Sequence, residues 1–232
     1  MTNRKMHIIE NQRIDILSPK AYNKRDKGGR NMKYTITNQI KNEIIAKFNN
    51  KLFTIKDLIN LGSYETIKRL LIRLEKEGFI LRVINGIYIK PKYSKLTNEL
   101  VPVSPHEVAI KIADSFSWKI IPTGNYALNL LGLSDQVPIN YEYLSSGPYR
   151  EYKYNNSVIK FKNTKSNDIE LDYKFSIIVS AIRTIGRDNI NNEIISKLKN
   201  QLTKEEQQRI LIETKKVTNW IYEVIREVYS ID

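Results

Sequence analysis

The sequence predicts an α+β fold, mainly α: an N-terminal helical unit closed by a hairpin, then a mixed α/β segment, then a helical C-terminal region. Three observations carry this. Apolar residues recur at helical spacing in the front third and again from Tyr173 onward, short β-rich runs bounded by Asn, Gly and Pro interrupt the rest, and a polar, proline-bearing connector, KPKYSKLTNEL, divides front from rear. At 232 residues the chain has room for one to two domains.

Residues 1–31, which include SPKAYNKRDKGGRN, are basic and poor in large apolar groups. Too little surface can be buried there to offset chain entropy, so they read as a disordered basic arm ahead of Met32, itself a possible second start. From Met32 the pattern is helical. In TNQIKNEIIAKF the residues Ile40, Ile44, Ile45 and Phe48 form one stripe. Thr54 caps a short helix through Leu58 and Ile59 that breaks at Gly62. Ser63 is a good N-cap for a third helix, which buries Ile67, Leu70, Leu71 and Leu74 and stops at Gly78. Phe79 to Val83 and Ile87 to Ile89 are β-rich runs around Asn85-Gly86, the preferred pair for a type I′ hairpin. Helix, helix, helix, hairpin is the order of a winged helix-turn-helix, predicted over residues 32–95.

Charge gives that unit a purpose. Of a net +13, residues 1–100 hold +12 (21 basic, 9 acidic) and residues 101–232 only +1 (17 basic, 16 acidic). A polyanion-binding unit concentrates positive charge in this way, because each neutralised phosphate releases condensed counterions; on charge alone, a solvated lysine-rich face is the alternative. With the apolar stripe of the third helix turned inward, its outward residues are Ser63, Tyr64, Thr66, Lys68, Arg69 and Arg73, and the hairpin adds Arg82, Asn85 and Lys90 near its tip. Lys68 and Arg69 suit guanine acceptors or phosphates, Ser63 and Thr66 either role, and Tyr64 a sugar or a thymine methyl. These nine are the candidate DNA-binding residues, and double-stranded DNA is the expected partner.

The rear domain is expected over residues 100–232, with an α/β part to residue 172 and a helical part from 173. Ser104-Pro105-His106-Glu107 reads as a capping box that opens a helix through Val108, Ile112 and Phe116. A short strand, a turn at Pro122 to Gly124 and a small helix over Tyr126 to Leu131 follow. Tyr141 to Leu144 and Ser157 to Lys162 read as strands flanking the turn SSGP. The helix from Tyr173 turns Ile177, Ile178, Ala181, Ile182 and Ile185 to one face and breaks at Gly186. Further helices are expected at about 190–200, 203–214 and 217–229, the last two readable as one.

Enzyme chemistry finds little to work with. There is no cysteine, which excludes disulfides and thiolate chemistry and fits a reducing compartment. Only His7 and His106 exist, and His106 reads as an exposed residue in the first turn of a capped helix. Asp168, Glu170 and Asp172 in DIELD would share one face of a strand, as metal-dependent nucleotidyl transfer needs, but no Gly-Ser turn precedes them at the required distance. They read as a solvated strand edge or the start of a helix. No catalytic set, metal site or cofactor site is expected. No apolar run approaches the roughly 18 residues of a membrane span, and the first thirty residues hold no apolar signal core, so a cytoplasmic protein is expected.

The most specific text is the run PTGNYALNLLGLSDQVP followed by YEYLSSGPYREYKYNNSVIKFKN. Together with GSYETIKRLLIRLEKEGFILRVINGIYIKP before it and WIYEVI near the C-terminus, it resembles the AbiEi-type antitoxins of bacterial abortive-infection and toxin–antitoxin systems, over about residues 33–229. The resemblance implies an N-terminal winged helix-turn-helix that represses its own operon. It also implies a C-terminal domain that counteracts a nucleotidyltransferase toxin encoded next door, without a stable complex in some systems. In that setting DIELD is not catalytic. From its own residues, LGLSDQVP reads as a helix end and turn in which Leu130, Leu131 and Leu133 pack and Gly132 supplies a bend. The alternative in another class is a stand-alone winged-helix regulator whose C-terminal domain binds a ligand or oligomerises.

Overall fold

The computed structural model describes residues 35–230, so the expected arm over residues 1–31 lies outside the described residues. The chain is α+β and mainly α. The Thr35 hydroxyl accepts the Asn38 N–H and opens α1, Ile36–Lys47. Ile40 and Ile44 of α1 are fully buried, but Ile45 is 44% exposed. Successive helical residues lie about 100° apart, so Ile45 turns off the stripe that includes Ile44. After β1 (Leu52–Phe53), the Thr54 N–H and hydroxyl both donate to the Asp57 carboxylate, at 2.7 and 3.0 Å, and start a 3-10 helical turn, Lys56–Leu61. Next comes α2, Tyr64–Lys76, which stops where Gly78 takes a left-handed φ of 71°.

The hairpin consists of β2, Leu81–Ile84, and β3, Ile87–Ile89. Phe79 and Ile80, expected in the first strand, instead donate their N–H groups to the Leu74 carbonyl and close the end of α2. The tip is not a type I′ turn, because Gly86 is left-handed at φ 81° and Asn85 is not. A register shift between Arg82 and Ile84 accompanies that difference. Both flanking strands pair antiparallel with β3, giving the order β1-β3-β2. Ile40, Ile44, Phe53, Leu58, Ile67, Leu71 and Leu74 fill the space between this sheet and the helices.

In the rear, Ser104 and Glu107 form the expected reciprocal cap on α3, Pro105–Ser115. Phe116, expected inside that helix, is its C-cap and 48% exposed. Ser117, with φ 57°, turns the chain into β4, Ile120–Thr123. Pro122 and Thr123 pair with Tyr143 and Glu142, so the expected turn there is strand running straight into α4, Gly124–Leu130. The SSGP turn leads from β5 (Asn140–Ser145) to a strand the sequence reading missed, β6 (Arg150–Tyr154), which hairpins with β7 (Ser157–Asn163). The sheet order is β4-β5-β7-β6, with β5 and β7 parallel and the other pairs antiparallel.

The helical part holds α5 (Tyr173–Ile185), α6 (Asn192–Lys199), α7 (Lys204–Glu213) and α8 (Asn219–Tyr229). A 3-10 turn, Thr214–Lys216, separates α7 from α8, so they are not one helix. Every residue of α5 from Phe175 to Ile182 is buried, because α4, β4 and α8 all pack on it.

A separate apolar cluster joins front to rear. Ile87 of the hairpin is buried with Val108, Ala109 and Ile112 of α3 and with Tyr143, Ile159 and Phe161 of the second sheet, and Leu52, Val83 and Ile84 border them. Two polar ties cross the same seam. Lys111 pairs with Asp57 at 2.8 Å, and Lys56 Nζ donates to the Ser115 carbonyl at 2.8 Å.

Candidate nucleic-acid interface

The first turns of α2 gather five of the nine predicted residues. The Ser63 hydroxyl accepts the Thr66 N–H and lies 2.9 Å from the Thr66 hydroxyl, so each fixes the other. Tyr64 is 51% exposed, and the Lys68 ammonium stands 5.9 Å from the centre of its ring. Arg69 reaches back along the helix, its Nε donating to the Glu65 carbonyl at 3.2 Å. Because Ile67 and Leu71 are fully buried, Tyr64, Lys68 and Arg69 form the solvent side of the same turns. Neither Lys68 nor Arg69 forms an ion pair among the described residues.

The other four are placed differently. Arg73 donates to the Thr37 hydroxyl at 2.8 Å and pairs with Glu77, tying α2 to α1. Arg82 pairs with Glu75 at 2.8 Å and lies over the Tyr88 ring. Lys90 sits past the end of β3 away from the hairpin tip, its ammonium 5.4 Å from the Phe79 ring centre. Asn85 is at the tip, in a cleft it shares with Tyr64.

Electrostatics separate framework from face. Burial pushes the Asp57 carboxyl up, but hydrogen bonds from Lys111 and Thr54 outweigh it and hold the group below the usual carboxylate range. Glu43, Glu75 and Glu77 are likewise paired with lysine or arginine. Residues 35–100 carry 12 basic and 6 acidic groups, so half of the front excess of +12 belongs to residues 1–34.

The cleft, of about 390 Å³, was not legible from spacing. Tyr64 and the hairpin tip form its front wall, and Phe116 at the end of α3 with Arg150 and Tyr152 of β6 forms the rear wall. The SSGP motif supports that wall. A side chain at Gly147 would meet the Trp118 indole at 2.2 Å, so only glycine lets the turn close on the ring. The Ser146 hydroxyl accepts the Lys119 N–H, and Asn163 donates to the Gly147 carbonyl. Trp118 in turn stacks on Phe116, 4.7 Å between ring centres.

The other motifs also find places. Asp168 is buried and ion-paired with Arg183, Glu170 pairs with Lys119, and Asp172 accepts the Lys174 N–H at the start of α5. The DIELD carboxylates therefore point to three different partners instead of one strand face. Among the described residues no group of three or more His, Cys, Asp or Glu could hold a metal ion. His106, expected to be exposed, is half-buried, with Nδ1 2.9 Å from the Tyr143 hydroxyl. In LGLSDQVP, Leu131 is buried, Leu133 packs beside it and Gly132 turns left-handed at φ 63°, whereas Leu130 is 43% exposed. No helix among the described residues is long and apolar enough to cross a membrane.

No curated protein matches the chain. A family model described as a family of unknown function, DUF6088, matches residues 39–210, which run from α1 through the hairpin and the second sheet into α7. That match spans most of the sequence, and the chain belongs to this family.

Proposed function

We propose that the protein is a cytoplasmic, non-enzymatic antitoxin and autorepressor. Its front unit acts as a winged helix-turn-helix on operator duplex, and its rear part counteracts a nucleotidyltransferase toxin. The observation that carries the DNA reading is the unpaired, exposed Lys68 and Arg69 on the first turns of α2, beside Ser63, Tyr64 and Thr66, in a unit whose carboxylates are mostly tied to other cations. Exposed cations without a carboxylate partner are free to neutralise phosphate or donate to guanine, whereas Arg73 and Arg82 already serve the scaffold. Support for the antitoxin reading comes from the resemblance carried by PTGNYALNLLGLSDQVP and SSGP.

The test is a neighbouring nucleotidyltransferase gene induced with and without this protein, in parallel with operator binding. Lys68→Glu with Arg69→Glu sets like charge against phosphate and should abolish operator binding while protection from the toxin, supplied from an independent promoter, persists. If the folded double variant fails to protect, neutralisation runs through the front unit and the two-part reading is wrong.

A further inference from the structure

The cleft between hairpin tip and second sheet has a composition that a purely structural seam does not need. Its walls carry three aromatic rings, Tyr64, Phe116 and Tyr152, and two cations, Lys56 and Arg150, and no carboxylate lines it. Arg150 forms no ion pair among the described residues, and its guanidinium lies over the Phe116 ring at 5.5 Å. Lys56 spends one donor on the Ser115 carbonyl, leaving two of the three on an ammonium. At about 390 Å³ the space falls among pockets that hold small ligands and is too small to admit a duplex.

We propose that this cleft binds a nucleoside monophosphate, its base against the aromatic rings and its phosphate at Arg150 and Lys56. Planar bases stack on aromatic side chains whatever their sequence identity, and arginine offers phosphate a two-pronged donor. Asn85 at the hairpin tip supplies an amide with donor and acceptor for a base edge. A simple anion would leave Tyr64 and Tyr152 uncontacted, and a neutral apolar ligand would leave the Arg150 charge and two Lys56 donors unanswered. The bound molecule would touch the hairpin tip and the first turn of α2 from the front, and the end of α3 and β6 from the rear. The site does not rest on the DNA reading, and a failure to bind operator leaves it untouched.

The test uses the full chain carrying Trp220→Phe, so that Trp118, stacked on Phe116, is the remaining tryptophan reporter. AMP, GMP, CMP and UMP are titrated by fluorescence and by calorimetry, with ribose 5-phosphate, inorganic phosphate and the free nucleosides alongside. Saturable binding of at least one monophosphate is expected, weakened about tenfold or more by Arg150→Gln and by omission of either base or phosphate, as loss of a base stack or of a charge-assisted contact implies. Phe116→Leu, with its melting temperature recorded, should weaken the same ligand while sparing inorganic phosphate. The proposal is overturned if none of the four binds at about 1 mM, if Arg150→Gln binds as tightly, or if ribose 5-phosphate binds as well as the nucleotide. Weakened operator binding by Arg150→Gln without nucleotide binding would also overturn it and assign the wall to the duplex.

Discussion

His106 shows how far a single side chain can depart from its sequence context. A histidine in the first turn of a capped helix belongs in water, yet here the ring stacks on Tyr143 and bonds its hydroxyl. Burial pulls its pKa below the ordinary 6.5, against the opposing charge of Glu107, and burial pushes the Tyr143 hydroxyl far up, so both stay neutral. The folded imidazole holds a proton less tightly than the unfolded one, so the unfolded chain binds more protons below 6.5 and stability falls as pH drops through that value. Between about pH 7 and about pH 5 the melting temperature should therefore fall further for the native protein than for His106→Gln; equal falls would mean that the ring is not buried neutral. Asp168 carries the opposite lesson, a buried charge kept by one partner. Arg183→Ala should cost about 3 kcal/mol in denaturant melts by stranding that carboxylate, and Asp168→Asn on the same background should recover part of it. No recovery would show that Arg183 acts by packing alone.

Among elements, those with their own punctuation were legible and those defined by partners were not. Ser63, Ser104 and Gly78 mark helix ends by local hydrogen bonding and φ, and α2 and α3 start and stop close to where these residues place them. REYKY draws no strand expectation because β6 is an edge strand whose charged residues stay in water; only pairing with β7 makes it a strand. The same holds for the site. Spacing found the outward face of α2, a property of one helix, but not that Arg73 and Arg82 would be tied to Thr37 and Glu75, nor the cleft, whose walls come from several distant stretches of chain. SSGP signalled only a turn; what it does depends on Trp118, about thirty residues earlier in sequence. Gly147→Ala should destabilise the protein by about 1–3 kcal/mol as the turn is forced off the indole, with a change in tryptophan emission. An unchanged melt and spectrum would show that the turn gives way freely.

Across the whole molecule, sequence and packing divide differently. Charge, composition and the polar connector separate the chain near residue 95, whereas Ile87, Val83 and Ile84 of the hairpin, with Leu52 of β1, become part of the rear core. An outer hairpin face with apolar residues is the local trace of that burial, since a hairpin free in solvent would keep one face polar. The described residues should then unfold together. Ile87→Ala should lower stability by about 2–5 kcal/mol, seen equally in helical circular dichroism and in tryptophan emission. Two separate transitions in the native chain would show that the seam does not bind front and rear into one cooperative unit.

The order β4-β5-β7-β6 also sets a schedule. β5 can pair with β4 as soon as both have been made, but its other edge needs β7, which follows β6 in the chain and lies inside it in the sheet. During synthesis that edge stays open from Ser145 until Asn163 has left the ribosome, about one to four seconds at roughly 5–20 residues per second. In that interval Tyr143, fully buried in the finished protein, has neither Phe161 beside it nor β7 along its strand. The nascent chain is thus most exposed to a wrong strand partner, a second copy on the same messenger included, while the stretch from the SSGP turn to the end of β7 is being made.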